Sequence, residues 1–269
     1  MAYKEWGDAS NPDVLICVHG LTRVSDDFDV LAKALANDYR VICPDIVGRG
    51  RSDHLRNPQF YQVPQYVSDM VTLIARLDVT SVNWFGTSMG GVIGMGVASL
   101  PGNPVRKLLL NDIGPSIDAA ALARIGEYVG QKVYFTSFDD AWQYVRAISL
   151  SFGTHSEEQW RKLALDVMRQ DAAGQWTFVY DPGLALPFKA VTAQSAQLDE
   201  QRLWAAYDAI SCPTLVVRGA DSDLLSRETA AAMSQRGPKA QVVELAGVGH
   251  APTFLSEEQI AIAKDFFLA

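Results

Sequence analysis

The stretch that most constrains this chain is Val82–Asn83–Trp84–Phe85–Gly86–Thr87–Ser88–Met89–Gly90–Gly91. A short apolar run, of the kind a buried strand needs, stops at Gly86. Gly-x-Ser-x-Gly follows, and then Val92 to Leu100, rich in Gly, Ala, Val and Met, reads as a helix. A serine at so sharp a strand-to-helix turn must take a positive φ, and it fits only where its neighbours are too small to clash. Glycines two before and two after supply that room. The turn lifts the Ser88 hydroxyl off the end of a sheet and sets it at a helix N-terminus, where free N–H groups favour developing negative charge. Strand, turn and helix in this order form a nucleophile elbow. Ser88 is therefore the first candidate for a reacting group.

The rest of the chain supplies a sheet for this turn. Ala2 to Gly7 reads as an edge strand. Val14 to Val18 is a continuous apolar run, the mark of a parallel strand covered on both faces, and it ends in His19–Gly20–Leu21–Thr22–Arg23. Ser25 can cap the next helix, whose apolar face is Phe28, Leu31 and Leu35. Val41–Ile42–Cys43 runs into the loop Pro44 to Ser52. Val67, Met70, Val71, Ile74 and Leu77 recur at helical spacing. A strand at Val105 to Leu110 closes with Asn111–Asp112. This alternation implies a mostly parallel sheet with helices on both faces.

After Pro115 the rhythm breaks. From about 116 to 207 the segments read as helical, with no comparable strand run, and aromatic residues are frequent. We expect an inserted helical lid over the strand ends, flanked by core segments 1–115 and 208–269. Most of its aromatics would fill the lid's own small core, while Trp142 and Trp204 are candidates for the pocket wall. The strand rhythm returns with Cys212 to Arg218, then the loop Gly219–Ala220–Asp221–Ser222–Asp223. Gln241 to Leu245 is the last strand, and Gly247 to Pro252 is a loop. Ser256 and Gln259 form a capping box on the final helix.

Composition excludes several function classes. A net charge of −8 without a basic cluster disfavours nucleic acid and anionic membranes as partners. No apolar run approaches the roughly 18 residues of a membrane span, and the N-terminus has no apolar signal-peptide core. Three scattered cysteines, Cys17, Cys43 and Cys212, fit reduced thiols in a cytoplasm. No metal-ligand spacing, dinucleotide fingerprint or phosphate loop occurs, so no metal or cofactor is expected. The oligomeric state is left open, a dimer included.

In its motifs the chain resembles the α/β-hydrolase fold superfamily over nearly its whole length. The matching residues are His19–Gly20, Asp45 with Gly48-x-Gly50-x-Ser52, the elbow at 86–91, the loop at 219–223 and Gly249–His250. Small esterases, enol-lactonases and carbon–carbon bond hydrolases are the most similar members. The N-terminus is too short for both leading strands of the eight-stranded prototype, so seven strands are expected, or eight with a very short first one. The resemblance implies a Ser-acid-His triad in that chain order. Ser88 is its nucleophile. His250 is its base, because His54 and His155 are explained as surface residues and His19 as a structural hydrogen-bonder. Backbone N–H groups of Leu21 and Met89 would form the oxyanion hole, with Gly20 allowing close backbone approach.

The acid is open among three aspartates. Asp223 is favoured, because Leu224–Leu225 after it resemble the family's next helix. Asp221 and Asp112 remain alternatives, and the family's usual acid position, three residues past the strand-ending Gly219, holds Ser222. Asp45 is expected to tie down its own loop. Arg23 either reaches the pocket to hold an acidic substrate or forms a surface ion pair with Asp26 or Asp27. The expected activity is serine hydrolysis of an ester, thioester or lactone of a small apolar acyl compound. Carbon–carbon bond hydrolysis of a vinylogous diketone, acyl transfer and a non-catalytic ligand receptor are the alternatives.

Overall fold

The computed structural model describes residues 1–190 and 192–269; Val191, within the expected insertion, lies outside them. The first part alternates strand and helix: β1 (Tyr3–Trp6), β2 (Val14–Val18), α1 (Asp29–Leu35), β3 (Arg40–Pro44), α2 (Val63–Arg76), β4 (Val82–Thr87), α3 (Met89–Ala98) and β5 (Val105–Asn111). Next come α4 (Ala119–Tyr128), α5 (Phe138–Ile148), α6 (Glu157–Val167), β6 (Met168–Gln170), β7 (Trp176–Phe178), α7 (Ala185–Lys189) and α8 (Ala193–Asp208). The chain closes with β8 (Thr214–Gly219), α9 (Arg227–Met233), β9 (Gln241–Leu245) and α10 (Glu257–Leu268).

Seven strands form one sheet in the order β1-β3-β2-β4-β5-β8-β9. Only the edge strand β1 runs antiparallel to its neighbour. The period of two along each strand sends side chains to opposite faces. Val14, Ile16, Val18 and Trp84 enter one apolar cluster, and Leu15, Cys17 and Phe85 enter the other. Both faces are thus covered, which is why these strands read as unbroken apolar runs. The chain moves from β2 outward to β3 and then returns to β4 on the other side of β2. That reversal opens a crevice at the strand C-termini, where ligands bind in sheets of this kind.

Helix α3 lies unusually close to this crevice. A Cβ on Gly90 would stand 2.0 Å from the Val18 carbonyl oxygen, and one on Gly94 would stand 2.4 Å from Trp84 Nε1. Trp84 Nε1–H donates to the Gly90 carbonyl at 3.0 Å. The glycines therefore let the helix start against β2 and β4, which fixes the height of Ser88 above the sheet.

Three local readings need correction. Ser25 does not cap α1: it opens a short 3-10 turn, Ser25–Phe28, and its own N–H donates to Asp45 Oδ1 at 2.7 Å. The segment between β5 and β8 is not wholly helical, since β6 and β7 pair as an antiparallel hairpin. Gln259 completes only half of the capping box, because its side chain accepts from the Phe254 N–H instead of Ser256. Within the insertion, Trp142, Trp160, Leu163 and Val167 build a third apolar cluster that also takes in Val24 of the core.

Gly90→Ala is expected to lower Tm by roughly 10 °C, because a methyl group driven into backbone has no rotamer by which to escape. Thermal unfolding followed by circular dichroism checks this. An unchanged Tm would mean that α3 can slide without cost.

Candidate active site

Ser88 sits between β4 and α3 with φ +51° and ψ −116°. Its Oγ–H donates to His250 Nε2 at 2.9 Å. The other ring nitrogen, Nδ1–H, donates to Asp112 Oδ2 at 2.7 Å. The tautomer follows from the acceptor-only chemistry of a carboxylate. His250 reaches this position from the loop after β9. Ser151 Oγ–H donates to its carbonyl, and the Gly249 N–H donates to the Ser151 carbonyl at 2.7 Å.

Asp112 is the residue directly past β5, fully buried, in the left-handed region at φ +54°. Its N–H donates to the Val217 carbonyl at 2.7 Å. Oδ1 accepts the Gly219 N–H at 2.8 Å, and Oδ2 accepts the Ser222 hydroxyl at 2.6 Å in addition to His250. Asp223, the favoured acid, is not in this group. It is exposed at the cavity mouth and ion-paired with Arg124 of α4. Asp221 is also exposed, and its carboxylate accepts no hydrogen bond among the described residues.

The reason is strand adjacency. Asn111 pairs with Val217 across β5 and β8, so both strands deliver residues to one spot. Asp112 fills that spot from β5, and the β8 loop contributes only the hydroxyl of Ser222. The insertion accordingly follows the strand that carries this carboxylate, rather than preceding it as expected.

The N–H groups of Leu21 and Met89 make no hydrogen bond among the described residues. Met89 opens α3 directly after Ser88, and Leu21 lies in the loop after β2. One residue that sequence reasoning missed connects them. Arg49 is fully buried, and among the described residues its hydrogen bonds go to carbonyls, a phenol and a thioether rather than to a carboxylate. Its Nε–H donates to the Leu21 carbonyl at 2.8 Å, Nη1 donates to the Val47 carbonyl at 2.8 Å and Tyr66 Oη at 2.9 Å, and Nη2 lies 3.3 Å from Met89 Sδ. Burial pushes this guanidinium below its ordinary value. The available signal was an arginine set between Gly48 and Gly50, whose positive φ angles of 83° and 56° pin the loop.

His19 is structural, as expected. Its Nδ1–H donates to the Gly20 carbonyl at 2.7 Å, and Nε2 accepts the Ile46 N–H at 3.0 Å. Desolvation pushes its pKa down to about 4, so the buried ring stays neutral. Asp45 does tie down its loop, through the N–H groups of Ser25 (2.7 Å) and Arg51 (2.9 Å).

A cavity of about 460 Å³ opens over Ser88 and His250. Leu21, Phe28, Tyr128, Ile148, Phe152 and Phe178 supply its apolar wall, and Gly20 and Arg23 also line it. Trp142 and Trp204 do not. Trp142 packs in the third cluster, with Arg161 5.0 Å from its ring, and Trp204 lies under Arg236 at 4.2 Å. Both are covered by their own helices' neighbours, which corrects their placement in the pocket wall. Among the described residues no group of three or more His, Cys, Asp or Glu could hold a metal ion, and no helix is long and apolar enough to cross a membrane.

Sheet order, elbow and strand-end cluster together define the class, and the family model agrees: the chain belongs to the alpha/beta hydrolase fold family, which matches residues 13–256. It is 56% identical to the 3-hydroxybutyrate-oligomer hydrolase of Cupriavidus necator, over 99% of this chain and 92% of that protein. It is 24% identical to the esterase YbfF of Escherichia coli, over 89% of this chain and 87% of that protein. Among solved structures it is similar to an alpha/beta hydrolase of Novosphingobium aromaticivorans, at a TM-score of 0.87 and 37% identity over 98% and 92% of the two chains.

His19 gives a pH prediction. Its folded pKa lies below the ordinary 6.5, so the stability it contributes is present above pH 6.5 and is lost as pH falls towards about 4. Asp166, pushed up to about 6 chiefly by burial, acts in the opposite sense between 6 and its ordinary 3.8. Comparing wild type with His19→Asn by urea unfolding at pH 7 and pH 4 isolates the histidine. Wild type should lose about 3 kcal/mol more than the variant. Equal losses would show that His19 is not held neutral.

Proposed function

We propose that the protein is a serine esterase that hydrolyses short esters of hydroxyalkanoic acids, 3-hydroxybutyrate oligomers foremost, through an acyl-Ser88 intermediate. The observation that carries this reading is the hydrogen-bonded chain Ser88 Oγ to His250 Nε2 (2.9 Å) and His250 Nδ1 to Asp112 Oδ2 (2.7 Å). An alcohol is nearly inert at neutral pH without a base in contact, and this arrangement supplies one.

In the first step His250 takes the hydroxyl proton as Ser88 Oγ attacks the ester carbonyl. The Asp112 carboxylate holds the ring and stabilises the imidazolium. Leu21 and Met89 N–H groups receive the oxyanion, and each such donor is worth about 10²–10³ in rate. When the tetrahedral adduct collapses, the proton on His250 goes to the departing alcohol oxygen. Water, deprotonated by His250, then attacks the acyl-serine, and the proton returns to Ser88 as the acid leaves. The residues from the insertion enclose the acyl group, which gives this segment the role of a lid.

Two features support the substrate class. The Cupriavidus necator relative, 56% identical, is named for hydrolysis of 3-hydroxybutyrate oligomers. A cavity of about 460 Å³ with apolar walls suits a few four-carbon units rather than a polymer surface. The free cysteines, Cys17 and Cys43 buried and Cys212 half-buried, favour a reducing, cytoplasmic setting.

The test pairs turnover with labelling. 3-Hydroxybutyrate dimer and trimer should be cleaved to monomer in steady multiple turnover, and an organophosphonate should label Ser88 alone by peptide mass mapping. Ser88→Ala should fold normally and lose about 10⁶ in rate. A label on any other residue, or esterase activity that survives Ser88→Ala, would contradict the mechanism. Turnover of simple esters with none of the oligomers would contradict the substrate.

A further inference from the structure

Arg23 is 9% exposed and lies two residues past Leu21, in the loop that follows β2. Its guanidinium carries five N–H donors. Nε and Nη2 grip the Asp27 carboxylate at 2.8 and 2.5 Å, and Nη2 also donates to the Leu163 carbonyl on α6 at 3.1 Å. The ion pair with Asp27 does form, as one sequence reading allowed, but it is partly buried rather than at the surface, and Arg23 is also anchored on the insertion. The remaining nitrogen, Nη1, has no partner among the described residues, although Arg23 lines the same cavity as Ser88 and His250.

The stem of Arg23 runs close to Ser88. A Cβ built on Gly20 would stand 3.7 Å from Arg23 Cγ and 3.7 Å from Ser88 Cβ, so the two side chains border one gap. The ring centre of Phe152, also in the cavity wall, lies 5.7 Å from the guanidinium carbon. Arg23 is nine-tenths buried and lines the ligand cavity, yet Nη1 is not sealed off by protein, so its two N–H groups remain open to an acceptor carried by a ligand. The Asp27 grip fixes the fork, so little ordering is left to offset when a ligand binds.

We propose that Arg23 Nη1 binds a free carboxylate of the substrate, so that the enzyme prefers esters with an acid group close to the scissile bond. This rests on the ester-hydrolase reading above. An oligomer of a hydroxy acid carries one free carboxylate, and in the terminal unit only a short carbon chain separates it from the nearest ester. A planar guanidinium edge binds a carboxylate better than an ester carbonyl, because the bond is charge-assisted at both ends. The arginine therefore recognises the acid end of the chain, and the cut falls beside it.

The experiment compares 3-hydroxybutyrate dimer with its methyl ester, which has the same shape and no charge. Wild type should favour the free acid by about 10–100-fold in kcat/KM, mostly through KM. Arg23→Gln should reduce that ratio to near one. The double variant Arg23→Met, Asp27→Leu, which leaves no buried charge unpaired, should do the same if the single variant folds poorly. Independently of turnover, calorimetry on Ser88→Ala should show 3-hydroxybutyrate binding more tightly than its methyl ester, and Arg23→Gln in that background should erase the difference. A ratio that survives in both Arg23 variants, or wild type indifferent to the charge in both assays, would overturn the proposal. Wild type inert towards p-nitrophenyl acetate, with the binding difference intact, would instead overturn the esterase reading alone.

Discussion

One buried carboxylate organises this site. Taking Asp112 out of water is expensive, and only well-aimed donors offset that cost. Three are present: the Gly219 backbone at the end of β8, the Ser222 hydroxyl in the loop beyond it, and His250 from the loop after β9. The same group therefore ties three strand ends together and orients the imidazole. If the carboxylate is removed, the ring of His250 loses both its tautomer and its aim, and with them its proposed role as the base of Ser88. The stability of the sheet's upper edge and the proposed chemistry thus depend on the same few hydrogen bonds.

The opposite side of the crevice is held by a second buried polar set. His19 joins the Gly20 carbonyl to the Ile46 backbone, Asp45 gathers the N–H groups of Ser25 and Arg51, and Arg49 spans Leu21 and Met89. Each ties the loop after β2 to the loop after β3. Buried polar networks of this kind favour one arrangement, because rearranging them breaks several hydrogen bonds at once. Leu21 and Met89 are thus presented on rigid backbone, while the apolar cavity wall comes largely from the inserted segment.

Local patterns made much of this legible. The continuous apolar runs of β2, β4 and β5, the elbow glycines and the Gly-flanked His250 each carry their meaning in a few neighbouring residues. The acid does not. Three aspartates stood at strand ends, and the choice depended on which strands lie side by side, a long-range fact that apolar periodicity does not contain. Ser222 was the available signal. A hydroxyl at the usual acid position cannot polarise a histidine, so the carboxylate had to arrive from elsewhere, and β5 is the neighbour of β8. The hairpin at 168–178 was missed because three-residue strands are too short to alternate, although Asp171 and Gly174 bound its turn. Trp142 and Trp204 misled for a different reason: large aromatics in an insertion fill its own core as readily as a pocket wall.

The most direct measurement of the central claim, that Asp112 rather than a β8-loop carboxylate supports His250, is kcat at neutral pH for Asp112→Asn beside Asp223→Asn. Both side chains keep their size, and circular dichroism on each variant establishes that the fold is intact before kcat is compared, since Asp112 also accepts the Gly219 and Ser222 hydrogen bonds. Asp112→Asn should lower kcat by about 10⁴, while Asp223→Asn, which only loses an exposed ion pair with Arg124, should stay within a few-fold of wild type. Near-wild-type turnover by Asp112→Asn, with collapse in Asp223→Asn, would contradict the account.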